Sequence, residues 1–329
     1  MYFKRKYAKR LVSFLLVAAL MMTVPAYAYD APSGEAGLSN VAHVYAVKPG
    51  TDEWVSMSVE QRLASCRVTK AEVEAMTTEA LIETIVNYPY IINLFAYDSV
   101  DTGIEMVSNH FPGIKELVAR SDAVNALREF IDDGVCVYGS DKVTIDAYVC
   151  EILYNYLSFS SMPSDFIPPL TGEIETPNGT DVPVYKNLYW DMYYEIYGTP
   201  ESESLVYQLN SLYPSIYPGV SQIAPPSFKY NCSSYALYQQ SSSNIYWIYR
   251  YLPYFTDESY VSSTQEAGAV ITYSSVSGFS NLKHFGIMVM HGSQLLVRSK
   301  WGCYGLFQHG ITNCPYYVDN PIVQYWSRG

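Results

Sequence analysis

The stretch that decides the fold is Asn231-Cys232-Ser233-Ser234-Tyr235-Ala236, where a proline-rich segment gives way to a helix. Pro225 and Pro226 disfavour a helix before this stretch, and Asn231 is a favourable N-cap residue. Cys232 is therefore predicted to lie in the first helical turn, where unpaired backbone N–H groups stabilise negative charge. Such a position favours the thiolate, which is the reactive form of a nucleophilic cysteine.

The alternative role for Cys232 is a disulfide, because the chain has the features of an exported protein. Five basic residues within residues 4–10 precede an apolar run over residues 11–24, and Ala26-Tyr27-Ala28 gives a small-x-small cleavage site. Residues 1–28 are therefore predicted to be a secretory signal peptide. The apolar run is short for a membrane span, and no later stretch reaches spanning length. We expect a secreted protein with no stable membrane insertion after cleavage.

Composition narrows the possible partners. The 329-residue chain is long enough for about two domains, and 49% of its residues are hydrophobic. Its formal net charge is −12 and no run of lysines or arginines follows the signal peptide, which argues against nucleic-acid binding. The 33 tyrosines suit a packed core or strands better than a dedicated ligand surface. No metal site or cofactor is expected, because the cysteines are widely separated and no histidine pair has a ligand spacing.

The first part of the exported chain is predicted to be helical. Residues 29–50 show no sustained period and are assigned to a leader of uncertain order. Two capping boxes, at residues 58–61 and 69–72, start helices whose apolar residues recur on one face. This pattern continues and predicts a helical domain over residues 51–160.

The second part is predicted to be a sheet packed on the cysteine-bearing helix, which gives an α+β protein. Residues 161–226 are interpreted as a β-hairpin, turning at Pro177-Asn178-Gly179, followed by a connector rich in tyrosine and proline. A tight turn at Gly292-Ser293 and adjacent short strands predict an antiparallel sheet in a domain over residues 227–329. The predicted strands of this sheet cover residues 269–273, 285–290, 295–299 and 322–326.

His284 is the predicted base for Cys232, because it opens the strand expected to lie against the start of the helix. The hairpin register places residues 299–301 opposite His284, where an acceptor for its second ring nitrogen is needed. Ser299 satisfies the register, whereas His309 is the stronger acceptor and requires the loop after residue 302 to fold back over the sheet. A backbone carbonyl or a water molecule is the third alternative.

The other cysteines are expected to be paired or buried. A ten-residue loop between Cys303 and Cys314 contains glycine and proline and is predicted to close through a disulfide. Cys136 and Cys150 form the second candidate pair. Cys66 shares the apolar face of a predicted helix and is expected to lie in the core.

Three segments carry a resemblance to a known family: Asn231-Cys232-Ser233-Ser234-Tyr235-Ala236, Ala267-Gly268-Ala269-Val270 and His284-Phe285-Gly286-Ile287-Met288-Val289. Over residues 227–329 the chain resembles papain-like cysteine hydrolases of the NlpC and CHAP types, which act on bacterial cell-wall peptides and amides. The resemblance implies a papain-like domain with Cys232 as nucleophile and His284 as base. It departs from the family where Gly268-Ala269 replaces the usual Gly-Asp.

A second resemblance concerns Ser299-Lys300-Trp301-Gly302 with His309, which is similar to a group of uncharacterised exported proteins of Gram-positive bacteria. It implies no substrate.

Two functions therefore compete. The first is an exported cysteine peptidase or amidase acting on a peptide or peptidoglycan-like substrate, with Asn231, Tyr235 and Trp301 as predicted substrate contacts. The second is a non-catalytic extracellular binding protein that retains a papain-like fold. Sequence leaves the oligomeric state and the role of the helical domain open.

Overall fold

The computed structural model describes residues 37–132, 145–158, 170–186, 202–279, 282–317 and 321–329. The predicted signal peptide and the predicted disulfide partner Cys136 lie outside the described residues. Much of the predicted connector also lies outside them, including residues 187–201.

Polar N-caps start the helices of the first half of the chain. The Ser58 and Thr69 hydroxyls accept hydrogen bonds from the backbone N–H groups of Gln61 and Glu72, whose side chains accept from the cap N–H groups in return. Both capping boxes predicted from the sequence are confirmed. The helices are α1 Asp52–Ser56, α2 Val59–Ser65, α3 Lys70–Glu74, α4 Thr78–Val86, α5 Val100–Ser108, α6 Gly113–Ala119, α7 Ala123–Phe130 and α8 Ile145–Ser158, with a 3₁₀ helix over Ile91–Phe95.

The segment before α1 is packed against these helices, although its sequence shows no period. Tyr45 and Val47 are buried, and the Tyr45 hydroxyl donates to the Thr84 carbonyl oxygen at 3.3 Å. Ser39 forms an isolated parallel bridge with Met76. Within the described residues, the predicted leader therefore belongs to the folded core.

A two-stranded hairpin begins the β-rich half. Strands β1 (Leu170–Glu175) and β2 (Asp181–Tyr185) pair antiparallel around the predicted turn, where Gly179 has a φ of 86°. This hairpin is confirmed. The predicted connector, in contrast, contains helix α9 (Ser202–Ile216) and strand β3 (Ser221–Ala224).

The remaining elements are α10 Cys232–Leu237, α11 Pro253–Thr256, β4 Tyr260–Ser262, β5 Val270–Ser274, β6 Leu282–His291, β7 Gln294–Lys300, β8 Leu306–His309 and β9 Ile322–Arg328. The main sheet has seven antiparallel strands in the order β3-β8-β7-β6-β5-β9-β4. All four strands predicted from residue 269 onward are present, and the β6–β7 hairpin turns at the predicted Gly292-Ser293.

Both faces of this sheet are buried. Along β5, Ile271 faces a core shared with the helices of the first half, whereas Val270 faces a second core built with α10. This alternation follows from the period of two of a β-strand. Leu38–Gly329 forms one compact unit, and the two predicted domain boundaries stay predictions.

The fold is thus a mixture of helices and antiparallel sheet, which agrees with the predicted α+β class. Its assignment as papain-like remains a proposal. Among the helices of the described residues, none has the length and apolar character needed to cross a membrane.

Candidate functional site

Asn231 fixes the start of α10. Its Oδ1 accepts from the Ser234 N–H at 3.2 Å and from the Ser233 hydroxyl at 3.1 Å, while its Nδ2 donates to the Ile248 carbonyl oxygen at 3.1 Å. The predicted N-cap is therefore confirmed, and Cys232 is the first helical residue. Because the Asn231 side chain is fully buried, a substrate does not reach it in this conformation.

Cys232 packs against the start of β6. Strand β6 pairs with β7 from Ile287 to His291 only, so the residues of β6 before Ile287 have no partner on β7. The Cys232 sulfur lies at this end, where the backbone N–H groups of Phe285 and Ser233 form hydrogen bonds that favour the thiolate. The thiol is nonetheless only 6% exposed.

Burial dominates the charge state of this thiol. It raises the pKa of Cys232 well above its usual value, and the nearby Asp98 carboxylate raises it further. The two backbone N–H groups and the Lys300 ammonium oppose these effects without cancelling them. The helix start was expected to favour the thiolate, but the protonated thiol is the resting form.

His284 lies on β6 and is almost completely buried. Its ring stacks on Tyr316, with 3.4 Å between centroids and 8° between planes, and its Nε2 has no hydrogen-bond partner. Burial, followed by the proximity of His309, lowers the pKa of His284 well below its usual value. His284 is therefore a neutral imidazole whose Nε2 does not bond to the Cys232 sulfur.

Ser299 and His309 bond to each other. The Ser299 Oγ lies 2.9 Å from His309 Nε2 and accepts a hydrogen bond from the Trp301 indole N–H at 3.0 Å. His309 Nδ1 lies 2.8 Å from the Gly310 carbonyl oxygen, which only accepts, so neutral His309 carries its proton on Nδ1. The Ser299 hydroxyl consequently donates to Nε2.

The route by which His309 reaches this position differs from the one expected. It ends strand β8 and pairs with Val297, instead of folding back in a loop. Neither Ser299 nor His309 is a partner of His284 Nε2. The choice between them as the orienting residue stays a prediction.

The other two predicted substrate contacts are also interior. Trp301 has no exposed surface, and Tyr235 is 3% exposed and stacks on Tyr230. In this conformation a substrate contacts neither, and their role in substrate binding stays a prediction.

Two charged residues near Cys232 were not singled out from the sequence. Asp98 follows the 3₁₀ helix and accepts a 2.9 Å hydrogen bond from Asn231 Nδ2. Lys300 ends β7, is fully buried, and donates to the Gly302 carbonyl oxygen at 2.6 Å and to that of Tyr304. A lysine at the end of an apolar strand is a sequence signal that could have pointed to Lys300. Asp98 gave no such signal, because it reaches the site through its hydrogen bond with Asn231, 133 positions later in the chain.

The predicted disulfide between Cys303 and Cys314 is wrong for this structure, which has both as free thiols. Cys303 is directed at the carbonyl oxygen of Phe95, and Cys314 at that of Ile311 in its own turn. The two sulfurs therefore point to different parts of the core, and burial raises the pKa of each thiol to about 12.

The remaining cysteines have different outcomes. Cys66 is buried as predicted. The Cys136–Cys150 pair stays a prediction, since Cys136 lies outside the described residues.

We compared the chain with family models, with curated proteins and with solved structures. None of the three comparisons found a match.

The buried histidines predict an acid-sensitive fold. Burial lowers the pKa of His309 to about 4, against about 6.5 for an unfolded histidine, so the unfolded chain binds the additional proton between these values. Stability is expected to fall as the pH is lowered from about 6.5 to about 4. His309→Gln should reduce that loss by about 2 to 3 kcal/mol, with part remaining because His284 shifts in the same direction.

Urea unfolding of both proteins at pH 7, 5.5 and 4.5 measures this difference. His291→Gln is the matched control, because His291 is exposed in the β6–β7 turn. An identical pH dependence in wild type and His309→Gln would contradict the prediction.

Proposed function

We propose that this chain is an exported cysteine hydrolase of amide bonds, with cell-wall peptides as its substrate class, Cys232 as nucleophile and His284 as base. The observation that carries the proposal is a buried cysteine at a helix start on which two charged side chains act, the half-buried Asp98 and the buried Lys300, with the buried neutral His284 on the adjoining strand β6. Buried groups of this kind contribute little to stability, and they concentrate at functional sites. The choice of cell-wall peptides derives from the NlpC and CHAP resemblance.

The residues support an acyl-transfer sequence. The Cys232 sulfur attacks the amide carbonyl carbon and forms a C–S bond, while His284 takes up the thiol proton. As the C–N bond breaks, the same proton passes from His284 to the leaving amine. Water then cleaves the thioester and releases the carboxylic acid. A lowered pKa keeps His284 neutral, which is the form that accepts a proton.

The described conformation is closed to a substrate. Cys232 is 6% exposed, and the Tyr316 ring covers His284. The Tyr316 hydroxyl donates to the Ala96 carbonyl oxygen and holds this cover in place. Turnover therefore requires displacement of the segment that carries Tyr316.

A non-catalytic binding protein is the second candidate. It is favoured by the raised pKa of Cys232 and by the absence of a hydrogen bond between His284 Nε2 and the cysteine sulfur. In that case the papain-like resemblance reflects the fold alone.

Purified peptidoglycan distinguishes the two functions. The hydrolase should release soluble peptides and new amino or carboxyl groups, detected by mass spectrometry. Treatment of the protein with iodoacetamide until Cys232 is modified should abolish this release. Binding to peptidoglycan without any release, before and after treatment, would contradict the hydrolase and support the binding protein.

A further inference from the structure

Lys300 is the buried cation of the site. Two of the three N–H donors of its ammonium group are taken by the carbonyl oxygens of Gly302 and Tyr304. Its Nζ also lies 5.4 Å from the centre of the Tyr230 ring, in the core that contains Cys232. The turn after β7 thus fixes the ammonium at the same face of the sheet as the thiol.

The strand register brings this charge close to Cys232. Ile287 pairs with Arg298 in the antiparallel β6–β7 ladder. Two residues further along the same register, Phe285 lies opposite Lys300. The Phe285 N–H is one of the two backbone N–H groups that bond to the Cys232 sulfur. Lys300 and Cys232 therefore both lie near Phe285, where β6 is paired with β5 but not with β7.

Asp98 supplies the opposite charge. Its carboxylate accepts from Asn231, the residue immediately before Cys232. Gly302 fixes the distance between the two segments, because a Cβ there would lie 2.5 Å from the Tyr97 carbonyl oxygen and 2.7 Å from that of Phe95. The turn that holds Lys300 is consequently packed against the segment that carries Asp98.

A buried lysine costs stability when an apolar side chain of similar length could fill the same space. His284 is neutral and is not among the groups that act on Cys232. Lys300 is the cation that acts on Cys232, and the other titratable groups that act on Lys300 are Cys303 and Asp98.

We propose that Lys300 supplies the positive charge that stabilises the Cys232 thiolate, with Asp98 as its counter-ion. Lys300 is a positioning residue and not a catalytic one, since its charge acts on the nucleophile and it does not contact the substrate. The inference rests on the proposed role of Cys232 as nucleophile. Burial lowers the pKa of Lys300 to about 8, so the ammonium is still largely protonated at pH 7.

The test is the rate at which iodoacetamide alkylates Cys232 between pH 6 and 10, followed by mass spectrometry of the Cys232 peptide. Lys300→Met should lower the rate at pH 7 about tenfold, and its rate should approach that of wild type above about pH 8, where wild-type Lys300 loses its charge. Lys300→Arg keeps the charge and should retain most of the rate. Lys229→Met, at an exposed lysine next to Tyr230, should stay within about twofold of wild type.

An unchanged rate at pH 7 in folded Lys300→Met would overturn the inference. If circular dichroism shows that this variant is unfolded, Lys300→Gln replaces it as the test, because its amide keeps N–H donors for the carbonyl oxygens of Gly302 and Tyr304 and carries no charge. Its rate at pH 7 should also fall about tenfold, and an unchanged rate would overturn the inference.

Alkylation requires no substrate, so the two proposals fail separately. A lower alkylation rate in Lys300→Met, without peptidoglycan hydrolysis by the wild type, supports the role of Lys300 and contradicts the hydrolase. Hydrolysis by the wild type together with an unchanged alkylation rate in Lys300→Met supports the hydrolase and contradicts the role of Lys300.

Discussion

Cys232→Ala is expected to lower the rate of amide hydrolysis by at least about a thousandfold, because the sulfur forms the covalent bond to the substrate. Alanine is smaller than cysteine and fits the buried position at the start of α10. The helix and its Asn231 cap should therefore remain folded. The measurement is the initial rate of peptide release from purified peptidoglycan, with the free energy of unfolding measured in parallel.

Cys314→Ala is the control for this variant. Cys314 is another buried free thiol, directed at the Ile311 carbonyl oxygen. Its replacement removes a sulfur of the same size and should keep hydrolysis within about threefold of wild type. A Cys232→Ala protein that hydrolyses peptidoglycan at the wild-type rate would contradict the assignment of the nucleophile.

Trp301→Ala is expected to cause the largest loss of stability, about 3 to 5 kcal/mol. The indole is completely buried, and its N–H donates to Ser299. Removing the ring leaves a cavity where the main sheet meets the helices. The rings that surround it belong to Tyr213, Tyr217, Phe307, His309 and Tyr316.

Chemical denaturation of Trp301→Ala measures this loss. Met290→Ala, at an exposed position on β6, is the control and should change stability by less than about 0.5 kcal/mol. If Trp301→Ala costs less than about 1 kcal/mol and instead raises KM, Trp301 is a substrate contact, as the sequence predicted.

Local signals predicted a large part of the fold. The capping boxes at Ser58 and Thr69 satisfy backbone N–H groups within four residues, so short sequence patterns determine them. The turns at residues 177–179 and 292–293 fix the register of their hairpins in the same way. The Asn231 cap belongs to this group.

Elements that depend on distant partners were missed. Helix α9 contains Pro214, and its sequence lacks a clear start signal, so it was taken for a connector. Its Tyr213 packs on Trp301, about ninety positions later in the chain. Strand β8 has four residues, too few to show the period of a strand, and it forms by pairing with β7 and β3.

The sequence predicted which residues form the candidate site, but it did not predict their charge states. Helix-start geometry suggested a thiolate at Cys232, but a pKa depends on burial and on charges that only the tertiary fold brings together. Asp98 shows this limit, since it lies 134 positions before Cys232 and reaches the site through Asn231.

The central claim is that peptide hydrolysis passes through the sulfur of Cys232. The most direct test titrates the protein with iodoacetamide and plots the initial rate of peptidoglycan hydrolysis against the fraction of Cys232 that mass spectrometry finds alkylated. We predict a straight line that reaches zero when Cys232 is fully modified, whatever the state of Cys303 and Cys314. Hydrolysis that persists after complete modification of Cys232 would contradict the claim.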